Sequence, residues 1–441
     1  PGPLNSGGTA QYAKRRTGEL PVEYIHPCLE EITKETYGVI VYQEQVMMIV
    51  RDIGKIKNLA IGDFHAQFGQ GLTFWSGLGF GKSAEVMSVK KNASIIRPYS
   101  SVDENVFLRG AATTVELSDF EITAFVSQKN IDANITSRDT LEDLEQIQVS
   151  SIQTTGIHNT LNTIVDKDAI GEFIYGGHIE YKKDFMNFGL TAVSTKLDGN
   201  LSRNLQVYNQ FDFNSNKNTN IGFDYNIVYK NFNLFGEVST SANGGVAMLN
   251  GALISLGQKA SLSIVQRDYQ KDYQSIYSEG FAEGSRVTNE QGIYLGLELK
   301  PTRKLTISSY LDQFKFPWLR YLVDAPSRGY EYLVQITYKP NKKFRGYIRY
   351  RNEVKGENES NSESYIPVIE NKTRENLRFN LAYEINDNLK IRSRVEFSHF
   401  NKPSLGSTYG YLAYQDVIYK PLDARLSITT RFSMFDTDDF N

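Results

Sequence analysis

Residues 330–339 read YEYLVQITYK, and their alternation decides the fold. Tyr330, Tyr332, Val334, Ile336 and Tyr338 share one face of an extended chain, and Glu331, Gln335, Thr337 and Lys339 share the other, with Leu333 the exception. Successive side chains of a strand point to opposite faces, so one face here is oily and the other polar. Neighbouring segments repeat the pattern. Phe344, Ile348 and Tyr350 oppose Arg345, Arg349 and Arg351; Leu377, Phe379, Leu381 and Tyr383 oppose Arg378, Asn380 and Glu384; Ile391, Val395 and Phe397 oppose Lys390, Arg392, Arg394 and Glu396.

The alternation runs from about Phe173, and its connections are of two kinds. Short turns recur at YKKDF, YKNFN, LKPTRK, YKPNKK, EINDNL and YKPLDA, while long polar links are expected at 268–290, 314–329, 354–373 and 399–409. Strands of roughly 9 to 11 residues joined by short turns on one side and long loops on the other are the pattern of outer-membrane barrels. Tyr or Leu before Lys-Pro puts an apolar residue at the strand end and a cation where lipid headgroups would lie. The expected fold is mainly β: a large antiparallel transmembrane β-barrel of about 15 to 18 strands with a short α-rich N-terminal segment. A soluble β-sheet binding protein, with one face in a core and the other in water, is the alternative. The in-register arginines and the strand length weigh against it, because ordinary strands run to about five or six residues.

Composition fits this reading. The chain has 441 residues, 48 Lys+Arg against 51 Asp+Glu, and one cysteine, which excludes a disulfide framework and a basic nucleic-acid surface. Mean hydropathy is -0.40. The most apolar run, Gly38 to Val50, is interrupted by Gln43, Glu44 and Gln45, so no spanning helix is expected. All but four of the 54 aromatic residues lie beyond residue 57; Tyr12, Tyr24, Tyr37 and Tyr42 are the exceptions. Two composition regimes therefore meet near Lys57. Three parts are expected: a helix and loop segment at 1–56, a glycine- and aromatic-rich barrel start with a plug at 57–170, and antiparallel barrel strands at 171–441. The last strand series looks unfinished at Asp438-Asp439-Phe440-Asn441, and the chain opens on Pro1 rather than Met, so both natural ends are expected to lie elsewhere.

Two resemblances cover different parts. Pro1-Gly2-Pro3, Lys14-Arg15-Arg16, His26-Pro27 and the run Tyr37, Gly38, Val39, Ile40, Val41, Tyr42, Gln43, Glu44, Gln45 closely resemble the alpha subunit of the bacterial replicative DNA polymerase, polymerase III of the C family. Beyond Asn58, the pieces Gly62-Asp63-Phe64, Gln67-Phe68-Gly69-Gln70-Gly71-Leu72, Trp75-Ser76-Gly77-Leu78, Gly81-Lys82-Ser83, Arg97-Pro98-Tyr99, Val102-Asp103-Glu104-Asn105 and Phe107-Leu108-Arg109-Gly110 resemble Bacteroidetes-type outer-membrane barrels described as helix-hairpin-helix domain-containing. The eponymous repeats are absent, so no nucleic-acid binding is implied for the barrel.

Candidate chemistry is sparse. Polymerases hold two metal ions about 3.5 to 4 Å apart with carboxylates. Glu19, Glu23, Glu30, Glu31, Glu35, Glu44 and Asp52 offer no Asp-x-Asp pair, and the family's catalytic aspartates lie upstream of its Pro-Gly-Pro step. No catalytic residue is assigned, and Mg²⁺ and DNA enter only if a polymerase reading holds, with a cytoplasmic location. Lys14, Arg15 and Arg16 read as a solvated charge cluster. GFGKS at 79–83 lacks the spacing and the strand and helix of a phosphate loop. His26, His65, His158, His178 and His399 are scattered, so no metal site is expected. Arg345, Arg349, Arg351, Arg378, Arg392, Arg394 and Glu396 are the candidate lumen-facing residues; cross-strand pairing is the plainer expectation and anion preference the sharper one. The expected role is an outer-membrane protein, a channel or an envelope assembly component of unspecified cargo, whose partner is the outer-membrane bilayer and which carries a non-catalytic polymerase fragment. A cytosolic module supplies no export signal, so a joined reading frame is the expected origin of the junction.

Overall fold

The structure is a computed structural model and describes residues 8–24, 29–39, 55–79, 81–99, 105–141, 144–362, 364, 366–421 and 425–438. Helices α1 (Gly8–Arg16) and α2 (Leu29–Thr33) precede a 3-10 turn at Lys34–Thr36. The strands then follow: β1 (Ile56–Gln67), β2 (Ile95–Pro98), β3 (Leu108–Leu117), β4 (Phe120–Ile131), β5 (Ala133–Leu141) and β6 (Leu144–Ile152). After a short α3 (Leu161–Val165) come β7 (Ile170–Lys183), β8 (Met186–Leu197), β9 (Gly199–Leu201), β10 (Lys217–Tyr229), β11 (Phe232–Ser241), β12 (Val246–Ser255) and β13 (Ala260–Tyr269). The last eight are β14 (Glu290–Thr302), β15 (Leu305–Phe316), β16 (Ser327–Tyr338), β17 (Phe344–Asn358), β18 (Ile369–Asn386), β19 (Leu389–Lys402), β20 (Gly406–Tyr419) and β21 (Ile428–Thr437). The change of composition at Lys57 thus coincides with the start of β1.

Eighteen strands form one sheet. Apart from short β2, which pairs with β1, it is an antiparallel meander: β1 pairs with β3, β3 with β4, β4 with β7, β7 with β8, β8 with β10, and from there each strand with the next to β21. The ladder reaches the upper end of the expected strand count. Among the described residues no pairing joins β21 to β1, so closure of the sheet is not part of the observed ladder. Strands β5, β6 and β9 make a separate small sheet over a core of Ile131, Ala133, Val149, Ile170, Leu197 and Leu201.

The short turns expected at YKKDF, YKNFN, LKPTRK and EINDNL are two-residue connections, YKPNKK is a five-residue one, and YKPLDA falls in the longer link 420–427, of which 422–424 lie outside the described residues. Asp184 and Lys230 adopt left-handed backbone in the two-residue turns after β7 and β10, the conformation that matches the twist of a hairpin. Three long links are shorter than expected. The link expected at 399–409 is a three-residue turn between β19 and β20, with Gly406 at φ 86°. Ser and Asn there read as loop, yet they pair across the hairpin, Asn401 opposite Ser407. Likewise 354–373 narrows to 359–368 and 314–329 to 317–326.

Regular alternation also begins earlier than Phe173. Strand β4 alternates through all its residues, with Glu121, Thr123, Phe125, Ser127, Lys129 and Ile131 buried. Both faces of β4 carry apolar residues, which hides its period in the sequence.

In β16, Glu331, Leu333 and Gln335 are buried while Val334, Ile336 and Tyr338 are 39%, 44% and 48% exposed. The oily face is the exposed one. Rings cluster on it beside the short turns: Phe120 with Tyr181, Phe185 with Tyr229, and Tyr338 with Phe344, which in turn meets Tyr383, at centroid distances of 5.1 to 6.3 Å. The opposite, inner face is covered where residues 68–79 and 81–91 and the link 270–289 fold onto it. Leu333, the exception to the alternation, packs there in a cluster with Leu72, Val86, Val89, Phe235, Leu249 and Tyr294. Leu333→Ala is expected to lower stability by about 2 to 4 kcal/mol, since it opens a cavity between sheet and inward segment; thermal unfolding followed by gel migration measures it.

Candidate functional site

The inward segment leaves β1 through Phe68-Gly69-Gln70-Gly71-Leu72-Thr73. Gly69 and Gly71 have φ of 53° and 80°, left-handed values that suit glycine. This bend wraps the loop around the buried carboxylate of Glu237 on β11. The backbone N–H groups of Gln70, Leu72 and Thr73 and the Thr73 hydroxyl all donate to it, at 3.0 Å from Leu72, 2.7 Å from Thr73 N and 2.6 Å from Thr73 Oγ1. A Cβ at Gly69 would stand 2.7 Å from Glu237 Oε2. The link 270–289 closes over the same loop: Glu279 N–H donates to the Gly71 carbonyl, Trp75 N–H to the Tyr277 carbonyl, and the Tyr273 hydroxyl to the Leu72 carbonyl. The link expected to be a free polar loop therefore packs on the inward segment.

Further along the segment, Gly81-Lys82-Ser83 is followed by no helix, and Lys82 binds carboxylates rather than phosphate. Its ammonium meets Asp312 at 2.9 Å, Glu331 at 3.0 Å and Glu283. Burial lowers the Lys82 pKa, but Asp312, Glu283 and Glu331 outweigh it and hold the group above the ordinary lysine range. Asp312 also takes both guanidinium nitrogens of buried Arg267, at 2.8 and 3.0 Å. Glu331 takes Arg351 at 2.9 and 3.0 Å, and Lys355 reaches Glu353 at 2.7 Å. Among the described residues Glu283, Glu331 and Glu353 form the one cluster of three metal-ligating groups. Lys82, Arg351 and Lys355 already neutralise it, so its chemistry is that of an ion-pair network. A second lysine of the segment behaves oppositely. Burial pushes the Lys91 ammonium down to about 8, opposed only in part by Glu279 and Glu237; it lies 4.5 Å from the Trp75 ring centroid.

The register puts the candidate arginines together. Leu333 stands opposite Arg351 and Gln335 opposite Arg349. Arg349 faces Arg378, and Arg345 faces Ala382. Ala382 faces Arg392, Asn380 faces Arg394, and Arg378 faces Glu396. Directly opposed residues share a face, so all seven lie on the inner face. They divide in two. Arg378 is bidentate to Glu396 at 2.7 and 2.9 Å, and Arg351 to Glu331, as pairing predicts. Arg349 donates to the Gln335 amide at 2.7 Å and lies over the Tyr347 ring, and Arg394 donates to Asn380 at 3.2 Å and lies over the Tyr414 ring; neither has an ion pair among the described residues. Arg392 faces Asp416, whose carboxylate is taken by Arg431. Arg345 and Arg392 are exposed and without an ion pair among the described residues. Glu237 was not a candidate in the sequence; a lone acid among apolar strand residues is the one signal that could have found it.

In the N-terminal segment Lys14 and Arg16 are exposed, and half-buried Arg15 donates to the Glu23 and Tyr37 carbonyls, each at 3.2 Å. Tyr37 and Gly38, both left-handed, end the helical piece. Pro1, Gly2, Pro3, Tyr42, Gln43, Glu44 and Gln45 lie outside the described residues.

Comparison with known proteins separates the same two parts. Residues 1–60 match the family described as the bacterial DNA polymerase III alpha subunit finger domain. DNA polymerase III subunit alpha of Aquifex aeolicus is 66% identical over 47 residues, 11% of this chain and 4% of that protein; the Helicobacter pylori subunit is 52% identical over 54 residues, again 4% of its length. The chain thus spans about a twentieth of these relatives. In structure the chain is similar to a BenF-like porin from Pseudomonas fluorescens (TM-score 0.38, 8% identity, 87% of this chain and 95% of that one). It is also similar to the FrpB iron transporter of Neisseria meningitidis (0.39, 9%, 75% and 60%) and the DcaP channel of Acinetobacter baumannii (0.35, 13%, 73% and 93%).

Two outcomes follow for the inward segment. Glu237→Gln replaces one acceptor oxygen by an amino group facing N–H donors, and is expected to weaken docking by about 2 to 4 kcal/mol; cleavage within residues 68–94 by limited proteolysis reads it. Lys91 has a folded pKa below its unfolded one, so its penalty is full below pH 8 and lifts as pH rises from about 8 towards the ordinary lysine value. Protease resistance of the segment should therefore rise between pH 7 and 9.5, and Lys91→Met should abolish that rise.

Proposed function

We propose that residues 56–437 are the wall of an outer-membrane β-barrel protein, narrowed by its inward segment, whose inner arginine row favours small anionic solutes. The observation that carries the reading is the exposed oily face. Ile336, Ile348, Phe379, Leu381, Val395, Phe397 and Tyr411, on five successive strands, are 36–49% exposed. A soluble protein rarely exposes a contiguous apolar surface of this kind, whereas hydrocarbon requires one, and it requires every backbone group to be paired as the ladder pairs them. The aromatic rings beside the short turns suit the headgroup boundary. On the inner face of β17 to β21 the register places twelve Lys and Arg, Arg345, Arg349, Arg392 and Arg394 among them, against six Asp and Glu, which gives a wet lumen a positive field. A place among the Bacteroidetes-type barrels described as helix-hairpin-helix domain-containing, without those repeats, is consistent with the glycine-rich segment around Glu237.

Residues 1–56 support a second reading, as a fragment of a Mg²⁺-dependent DNA-directed DNA polymerase, because that stretch matches a polymerase finger. In the first reading the fragment is non-catalytic, and its junction with the barrel is a joined reading frame. Amplification across the codons for residues 50–65 from source DNA tests the junction, and primer extension tests the activity; magnesium-dependent extension would favour the polymerase.

For the barrel, the refolded chain is expected to show heat-modifiable migration and to insert into planar bilayers with small, anion-preferring conductance steps. Arg345→Gln with Arg392→Gln should shift the reversal potential in a KCl gradient towards cations. Stable solubility without detergent and no heat-modified form would favour the soluble β-sheet binding protein instead.

A further inference from the structure

At the loop end of β14 to β18 the outer face bears an unusual pair. Lys315 on β15 and Arg328 on β16 stand directly opposite in the register, both exposed, on the same face as Ile293 and Tyr330. Directly opposed like charges destabilise a sheet. Neither cation has an ion pair among the described residues. The carboxylates on this face of β13 to β18 are engaged elsewhere: Asp268 accepts from Gln291 at 2.9 Å, and Glu375 holds His399 at 2.8 Å together with Tyr350. The pair borders a concavity of about 600 Å³ lined also by Gln313, Val354 and Asn371. Directly towards the short turns the same face becomes oily, with exposed Leu295, Leu311 and Val334.

We infer that this concavity binds the phosphate of an anionic lipid of the leaflet at the loop end. Lys315 and Arg328 clamp the phosphate oxygens, Gln313 and Asn371 border the polar head, and the acyl chains run over Ile293, Leu311 and Val334. Two exposed cations directly opposite in the register, without an ion pair among the described residues and set at the margin of exposed apolar residues, complement a group that is anionic at one end and hydrocarbon at the other. Arg supplies a planar fork for two phosphate oxygens and Lys a point charge, so a phosphate is satisfied by both together. A free phosphate would use only the cations and leave the belt beneath unused.

The inference rests on the membrane reading, and the test separates the two. The full chain, purified in a non-ionic detergent, is first scored for insertion into phosphatidylcholine vesicles; failure to insert sinks both. For inserting protein, binding of dihexanoyl phosphatidic acid is measured by native mass spectrometry for wild type and for Lys315→Gln with Arg328→Gln, with dihexanoyl phosphatidylcholine and inorganic phosphate as controls. The double variant is expected to retain phosphatidic acid roughly 30-fold more weakly, as loss of two interfacial cations implies. Phosphatidylcholine should bind both proteins alike, and millimolar phosphate should not displace the lipid. Equal retention by wild type and variant would overturn the site while leaving the barrel intact, and full displacement by phosphate would overturn the lipid as its occupant.

Discussion

Everything on the inner face depends on neutralising buried carboxylates. Asp312 and Glu331, on neighbouring strands, have no exposed surface and must find cations, because burying an unpaired charge costs several kcal/mol. Arg267 and Arg351 come from the sheet itself, but Lys82 arrives from a segment more than two hundred residues earlier in the chain. The carboxylates of β15 and β16 therefore fix where the inward segment must lie. At its other end Glu237 does the same with backbone N–H groups instead of a cation.

This arrangement ties the sheet and the inward segment into one unit by two unlike means. Apolar packing of Leu72, Val86 and Val89 against Phe235, Leu249 and Leu333 is non-directional and supplies area. The ion pairs and the Glu237 loop are directional and supply register. Removing one partner of a buried pair leaves an uncompensated charge, so the polar contacts specify the docked position more than they stabilise it. Farther along the same inner face, β17 to β21 carry Arg345 and Arg392, which make no ion pair with the inward segment among the described residues.

Much of this was legible from residues 330–339. Alternation separated the two faces correctly, the short turns at Asp184, Lys230 and Lys343 followed from their local sequence, and the seven lumen candidates share a face because strand parity leaves no choice. Three things were hidden for physical reasons. Strand β4 was not evident because Phe125 faces inward onto Phe68 and Phe74, erasing the contrast that marks a strand. The β19–β20 turn looked like a long loop because strand ends beyond an apolar belt are polar on both faces. The link 270–289 looked like solvent-exposed loop because its Tyr and Glu residues make backbone contacts that leave no periodic trace.

What the sequence by itself determined is local and periodic: strand against helix, which side chains share a face, where a composition of helix and loop gives way to one of strands, and that the aromatic surplus belongs to the second. Those follow from a two-residue repeat that every strand must obey. Which face is covered, which arginines are paired, and that Lys82 belongs to Asp312 rather than to a phosphate were decided only by tertiary structure. Each depends on groups distant in sequence meeting across the sheet, and burial, not composition, chooses their partners.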